Sequence, residues 1–194
     1  MQGNPFPFPL MPPQAQGLMV YSRSEWDTVT VGRAIGEALR RGDVVLLMGD
    51  LGAGKTQMVR GMAEGIESKV PARSPTFVLV NEYQGRIRLS HCDLYRVGGP
   101  GEVEELALDE RLTDGALVVE WPELADGNLP EDALLVQIEF GDGPEDRTIV
   151  LTPGGDRAAH LAMRAAAIYE SLSSMPIPVS PEDPERPTSE DPAE

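Results

Sequence analysis

A chain of 194 residues, 41% of them hydrophobic, is long enough for one solid core, and it holds no apolar run near the roughly 18 residues that span a bilayer. Its net charge of −16 argues against a protein that grips nucleic acid unaided, because phosphate contacts dominate that affinity and require a basic footprint. A single cysteine, Cys92, excludes an internal disulfide framework and any multi-thiolate metal site.

The first 17 residues, MQGNPFPFPLMPPQAQG, carry no side-chain charge and place five prolines between Pro5 and Pro13. A secretory signal needs basic residues and then an unbroken apolar stretch, so this head reads as a disordered Pro-rich segment and the protein as cytoplasmic. Leu18–Ser22 reads as a short strand. Ser24 is the expected N-cap, with Asp27 three residues on, of a helix running to about Arg41 and stopped by Gly42. Val31, Ile35, Ala38 and Leu39 share one face of it. Asp43–Gly49 is a continuous apolar run, as expected of a parallel strand buried on both faces, and a helix follows from about Lys55 to Glu67. TFVLVNEY and RIRLSHCD flank a turn at Gln84-Gly85 and read as a hairpin starting at Thr76. EVEELALDERL predicts one short acidic helix and ALVVEW another buried strand. ALLVQIEF and RTIVLT predict a closing antiparallel pair, and residues 156–173 a final helix. The tail from Met175 to Glu194 is Pro-rich and carries −5, which leaves −11 on the rest. The expected organisation is a disordered head (1–17), one α/β domain of P-loop NTPase type (18–174) whose mixed, largely parallel sheet is flanked by helices, and a disordered acidic tail (175–194).

Gly49, Asp50, Leu51, Gly52, Ala53, Gly54, Lys55 and Thr56 fit G-x-x-x-x-G-K-[ST] between a predicted strand and a predicted helix, the context of a phosphate-binding loop. Glycines at 49, 52 and 54 let the backbone turn with positive φ and bring N–H groups around phosphate oxygens, at a helix terminus that adds positive charge. The chain has only two lysines, Lys55 and Lys69. Placing one of them here supplies a compact charge on a flexible stem, suited to β- and γ-phosphates. Thr56 can put its hydroxyl on Mg²⁺. Such a loop needs an acid to help hold the metal and a group to orient the attacking water. Asp93 and Glu120, each ending a predicted strand, both qualify. ARSPTFVLV, through Thr76, stands where many NTPases keep a γ-phosphate sensor, although a plain turn explains it equally.

GDLGAGKT, SPTFVLVNEY, HCDLYR and VEWPE occur in the order and at the spacing of the TsaE (YjeE) family, which the chain resembles over about Leu18 to Leu151. The resemblance implies the small ATPase of bacterial tRNA threonylcarbamoyladenosine modification. Such a protein acts with TsaB-like and TsaD-like partners, hydrolysing ATP so that the transfer of threonylcarbamoyl to the adenosine beside the anticodon can repeat. It further implies Thr56 and Glu120 as Mg²⁺ positions and Asp93 as a nucleotide-site acid important for hydrolysis. Ser24 and Glu25 would contact the nucleotide from its base side. Gln57 stands where the family commonly has a second threonine, near the α-phosphate. The acidic surface agrees with leaving tRNA to the partners. Two rivals share the loop: a small P-loop kinase, with Arg86, Arg88 and Arg96 as lid arginines, and a nucleotide-gated binding module whose hydrolysis is incidental.

Overall fold

The computed structural model describes residues 18–75 and 78–174. The head, the tail, Thr76 and Phe77 lie outside the described residues. Among the described residues seven strands form one sheet: Leu18–Ser22 (β1), Val44–Met48 (β2), Val80–Gln84 (β3), Arg88–Asp93 (β4), Gly115–Glu120 (β5), Leu134–Phe140 (β6) and Arg147–Pro153 (β7). Their spatial order is β1-β7-β6-β2-β5-β4-β3. The centre, β6-β2-β5-β4, is parallel, and antiparallel pairs close both flanks.

Every residue of β2 and β5 is buried, because helices cover both faces. Val45, Leu47, Ala116 and Val118 point into the core beneath Glu25–Ala38 (α1), Lys55–Gly65 (α2) and Asp156–Ser173 (α5). Their alternates Val44, Leu46, Leu117 and Val119 pack against Val103 of Pro100–Glu105 (α3), Leu108 of Leu108–Leu112 (α4) and Ala125 of a 3-10 turn, Pro122–Ala125. Among the described residues no helix is long and apolar enough to cross a membrane.

Helices α1 and α2 meet backbone to backbone. A Cβ at Gly32 would strike the Met58 carbonyl, one at Gly36 the Met62 carbonyl, one at Gly61 the Val29 carbonyl and one at Gly65 the Arg33 carbonyl. Two glycines four apart on each helix make a flat strip, which larger side chains would hold open.

Three elements depart from the sequence expectation. Helix α1 ends at Ala38, three residues early, because Leu39 turns extended (φ −57, ψ 142) to bury its side chain fully. Gly42 turns the chain into β2 with φ +82. The helix expected over 102–112 is two, broken where Ala107 adopts φ 48. The hairpin begins at Val80 rather than Thr76, since Val78 and Leu79 both donate to the Pro75 carbonyl in a turn with Leu79 at φ 63.

Candidate functional site

The carboxyl ends of β2, β5 and β4 lie side by side, with Leu47 opposite Glu120 and Glu120 opposite Asp93 in register. This is the edge of an open α/β sheet at which ligands bind. The glycine-rich loop leaves β2 here and enters α2. Gly49, Gly52 and Gly54 have φ of 148, 82 and 111, conformations that L side chains rarely adopt. Gly49 is doubly constrained, because a Cβ there would also strike the Ile138 carbonyl of β6. Gly54 caps α2 without any side-chain bond, which leaves the first-turn N–H groups to whatever enters the loop. Within the loop Asp50 and Leu51 are exposed, and Ala53 is buried against the core.

Lys55 folds back over the loop. Its Nζ donates to the Gly49 and Asp50 carbonyls at 2.6 and 2.9 Å and sits 3.8 Å above the Trp121 ring. Only 5% of the residue is exposed. Burial pulls its ammonium below the ordinary value of 10.5, against the opposing fields of Glu120, Glu123, Asp93 and Asp50. Trp121 reaches this position through an unusual backbone, φ 60 and ψ 49, directly after β5.

Glu120 is the hub of the acidic side. Its Oε1 accepts from Thr56 Oγ1 at 2.9 Å and meets Nε2 of buried His91 at 2.8 Å. An ionised carboxylate only accepts, so Nε2 carries the proton of that bond. Asp93 sits one strand over, taking the Tyr95 N–H at 3.0 Å on Oδ1 and the Ser74 hydroxyl at 3.3 Å on Oδ2. Among the described residues no group of three or more His, Cys, Asp or Glu side chains could hold a metal by itself. A cation here would therefore need oxygens from a ligand as well.

Ser24 and Glu25 stand at the start of α1. Ser24 Oγ accepts the Asp27 N–H at 3.1 Å, the expected N-cap, while Glu25 lies 3.7 Å from Arg60. One turn on, Thr28 approaches Gly54, so this helix end does flank the loop. Gln57 is half-buried in the first turn of α2. Thr76 lies outside the described residues. Of the arginines considered for a lid, Arg86 instead donates to the Gly36 and Glu37 carbonyls and Arg88 to the Arg111 carbonyl, both at the opposite end of β4.

Sequence reading missed Arg147. From β7 its Nε donates to the Ala53 carbonyl at 2.8 Å and its NH2 reaches the Gly52 carbonyl at 3.4 Å, while the guanidinium lies 4.5 Å from the Phe140 ring centroid. Ninety-four residues separate it from Ala53, and no local spacing signals the contact. Glu123 was also missed; its Oε2 is buried with no partner among the described residues.

The model of the family described as "Threonylcarbamoyl adenosine biosynthesis protein TsaE" matches residues 22–149. A tRNA threonylcarbamoyladenosine biosynthesis protein TsaE from Streptomyces coelicolor is 40% identical over 136 residues, covering 66% of this chain and 92% of the relative. One of the same name from Bacillus subtilis is 38% identical over 133 residues, covering 68% and 82%. The crystal structure of Bacillus subtilis YdiB superposes with a TM-score of 0.67 at 30% identity, covering 79% of this chain and 97% of that one.

Proposed function

This chain belongs to the TsaE family of tRNA threonylcarbamoyladenosine biosynthesis, and from that premise we propose that it is a Mg²⁺-dependent ATPase acting in the cytoplasm with TsaB-like and TsaD-like proteins. The observation that carries the reading is the pairing of Thr56 with Glu120 beside a loop whose three glycines all have positive φ. A hydroxyl and a carboxylate 2.9 Å apart at the first turn of α2 are the two protein oxygens that a phosphate-bound Mg²⁺ needs. That ion supplies neutralisation of phosphate charge when bound.

The loop N–H groups from Gly49 to Thr56 would cradle the phosphates of ATP. Lys55 would exchange the Gly49 and Asp50 carbonyls for phosphate oxygens, which lifts the burial penalty on its ammonium. With Glu120 given to the metal through Thr56, Asp93, one strand over and held by the Tyr95 N–H and Ser74, would orient the attacking water. Ser24, Glu25 and Gln57 would line the nucleoside and α-phosphate side, Thr76 the γ-phosphate side, and residues 18–174 would hold all of this as one domain.

The deciding experiment mixes the full chain with purified TsaB-like and TsaD-like proteins and measures co-elution and phosphate release, with and without ATP and Mg²⁺. Retention with ATP, and release that needs Mg²⁺ and rises severalfold with the partners, is the expected result. Retention without release would make the protein a nucleotide-gated binding module. Transfer of phosphate to a small acceptor would make it a kinase.

A further inference from the structure

On the sheet edge opposite the glycine-rich loop, five of the chain's fourteen arginines gather between the end of α1, the β3–β4 turn and α5. Arg40, Arg41, Arg157, His160 and Arg164 line one concavity, which runs on past Arg86 to Ala167 and Ile168. Part of this charge is structural. Arg86 and Arg164 take the last α1 carbonyls, and Arg157 and Arg164 hold buried Asp43 at 3.1 and 3.2 Å. The exposed side chains of Arg40 and Arg41 have no ion-pair partner among the described residues. Against these five guanidinium groups the groove sets Asp43 and Glu37, the latter already paired with Arg33, on a chain whose net charge is −16. Arg164 feels the excess: burial first, then Arg40, lowers its pKa, with Asp43 only partly opposing.

The chain carries a segment that fits this groove in charge, chemistry and length. After Ser174 come Ile177 and Val179 between prolines, and then Glu182, Asp183 and Glu185. A proline-rich strand advances about 3.1 Å per residue and α5 about 1.5 Å. A chain doubling back along α5 from Ser174 would set Ile177 level with Ile168, each roughly 9 Å along. It would bring Glu182 level with Arg157, each about 25 Å along, with Arg164 between them. The apolar end of the groove thus meets the apolar part of the tail, and the arginine end meets the acids.

We infer that residues 176–185 of the acidic tail dock in the groove between α1 and α5, through Ile177 and Val179 on Ala167 and Ile168 and through Glu182, Asp183 and Glu185 on Arg40, Arg41, Arg157 and Arg164. An outside polyanion must overcome the repulsion of the whole acidic chain to reach the same arginines, whereas the tail is tethered within reach of them. Docking also screens this cluster of arginines.

The test is a nitroxide label on the full chain at Thr188→Cys, just past the acidic block, with Cys92 buried and out of reach of the reagent. At ~0.05 M salt the label should abolish most of the amide intensity at Arg157, His160 and Arg164, and ~0.5 M salt should restore it. The double variant Arg40→Glu/Arg41→Glu and the triple variant Glu182→Gln/Asp183→Asn/Glu185→Gln should each restore it at low salt. The second set lies outside the described fold, so it tests the docking even where the first disturbs the turn. Undiminished amides at low salt overturn the inference, and so does broadening that ignores salt and both variants. A single-stranded RNA that shifts these amides while the label broadens none of them assigns the groove to nucleic acid instead.

Discussion

His91 Nε2 lies 2.8 Å from Glu120 Oε1, and both residues are closed to solvent at the end of adjacent parallel strands. The imidazole donor fixes the carboxylate that Thr56 also shares. His91→Leu should leave Glu120 held on one side only, and phosphate release should fall tenfold or more, about 1.4 kcal/mol. His91→Gln, which keeps a donor, should recover part of it. Equal loss in both variants, with equal loss of thermal stability, would reduce His91 to a packing residue. Glu120→Gln should lower release by at least as much and weaken the dependence on Mg²⁺.

Lys55 is buried, and its removal should not harm the fold. Burial holds its pKa down, so the charged form is disfavoured in the native state at neutral pH, and this cost shrinks as pH rises toward 10.5. Lys55→Ala should therefore melt at or above the parent temperature without nucleotide. It should show neither the ATP-dependent rise in Tm nor phosphate release. Scanning calorimetry with and without ATP and Mg²⁺ reads both outcomes.

Arg147 ties β7 to two loop carbonyls. Arg147→Ala should shrink the ATP-induced rise in Tm, by a binding loss of about 1–2 kcal/mol, while β7 stays paired. Arg147→Lys should rescue little, since one ammonium cannot reproduce a planar fork across both carbonyls. A parental response in the lysine variant would show that charge alone suffices.

Gly61→Ala sends a methyl group into the Val29 carbonyl. The helices must separate, at a cost of about 1–3 kcal/mol measured by denaturant unfolding. Gly101→Ala in α3 meets nothing within 4 Å and should be neutral or stabilising, which makes it the control.

Cys92 is fully buried, and burial pushes its thiol from 9.0 up to about 12, with Asp93 adding to the rise. The unfolded chain gives up this proton near pH 9 while the native state keeps it, so stability falls with pH between those values. Unfolding curves from pH 8.5 to 10.5 should therefore drop more steeply for the parent than for Cys92→Ala. At pH 8 a thiol reagent should label the native chain only as fast as the protein opens.

The glycine loop, its lysine and the strand-end acids were legible because they are local: spacing and hydropathy place them before any tertiary contact is known. The α1 stripe was equally plain, yet its last residue, Leu39, keeps its buried place by leaving the helix. What pattern could not supply came from contacts distant in sequence. Arg147 meets the loop through strand order, and Arg86 reaches α1 from the β3–β4 turn. The break at Ala107 was hidden because Leu106-Ala107-Leu108 is good helix sequence, and only packing of Val103 and Leu108 into the same core turns the chain there.

The glycine strip between α1 and α2 has a mechanical meaning. Ordinary helix pairs are separated by side chains that can change rotamer and absorb small displacements; here carbonyls abut α-carbons, and that compliant layer is missing. The two helices should therefore translate as one body. Lys55 and Thr56 open one of them, and Ser24 and Glu25 open the other. If the loop holds phosphate as proposed, a shift on filling it would carry the exposed face of α1, with Trp26, along with it. Occupancy could then be read from outside the protein without any lid.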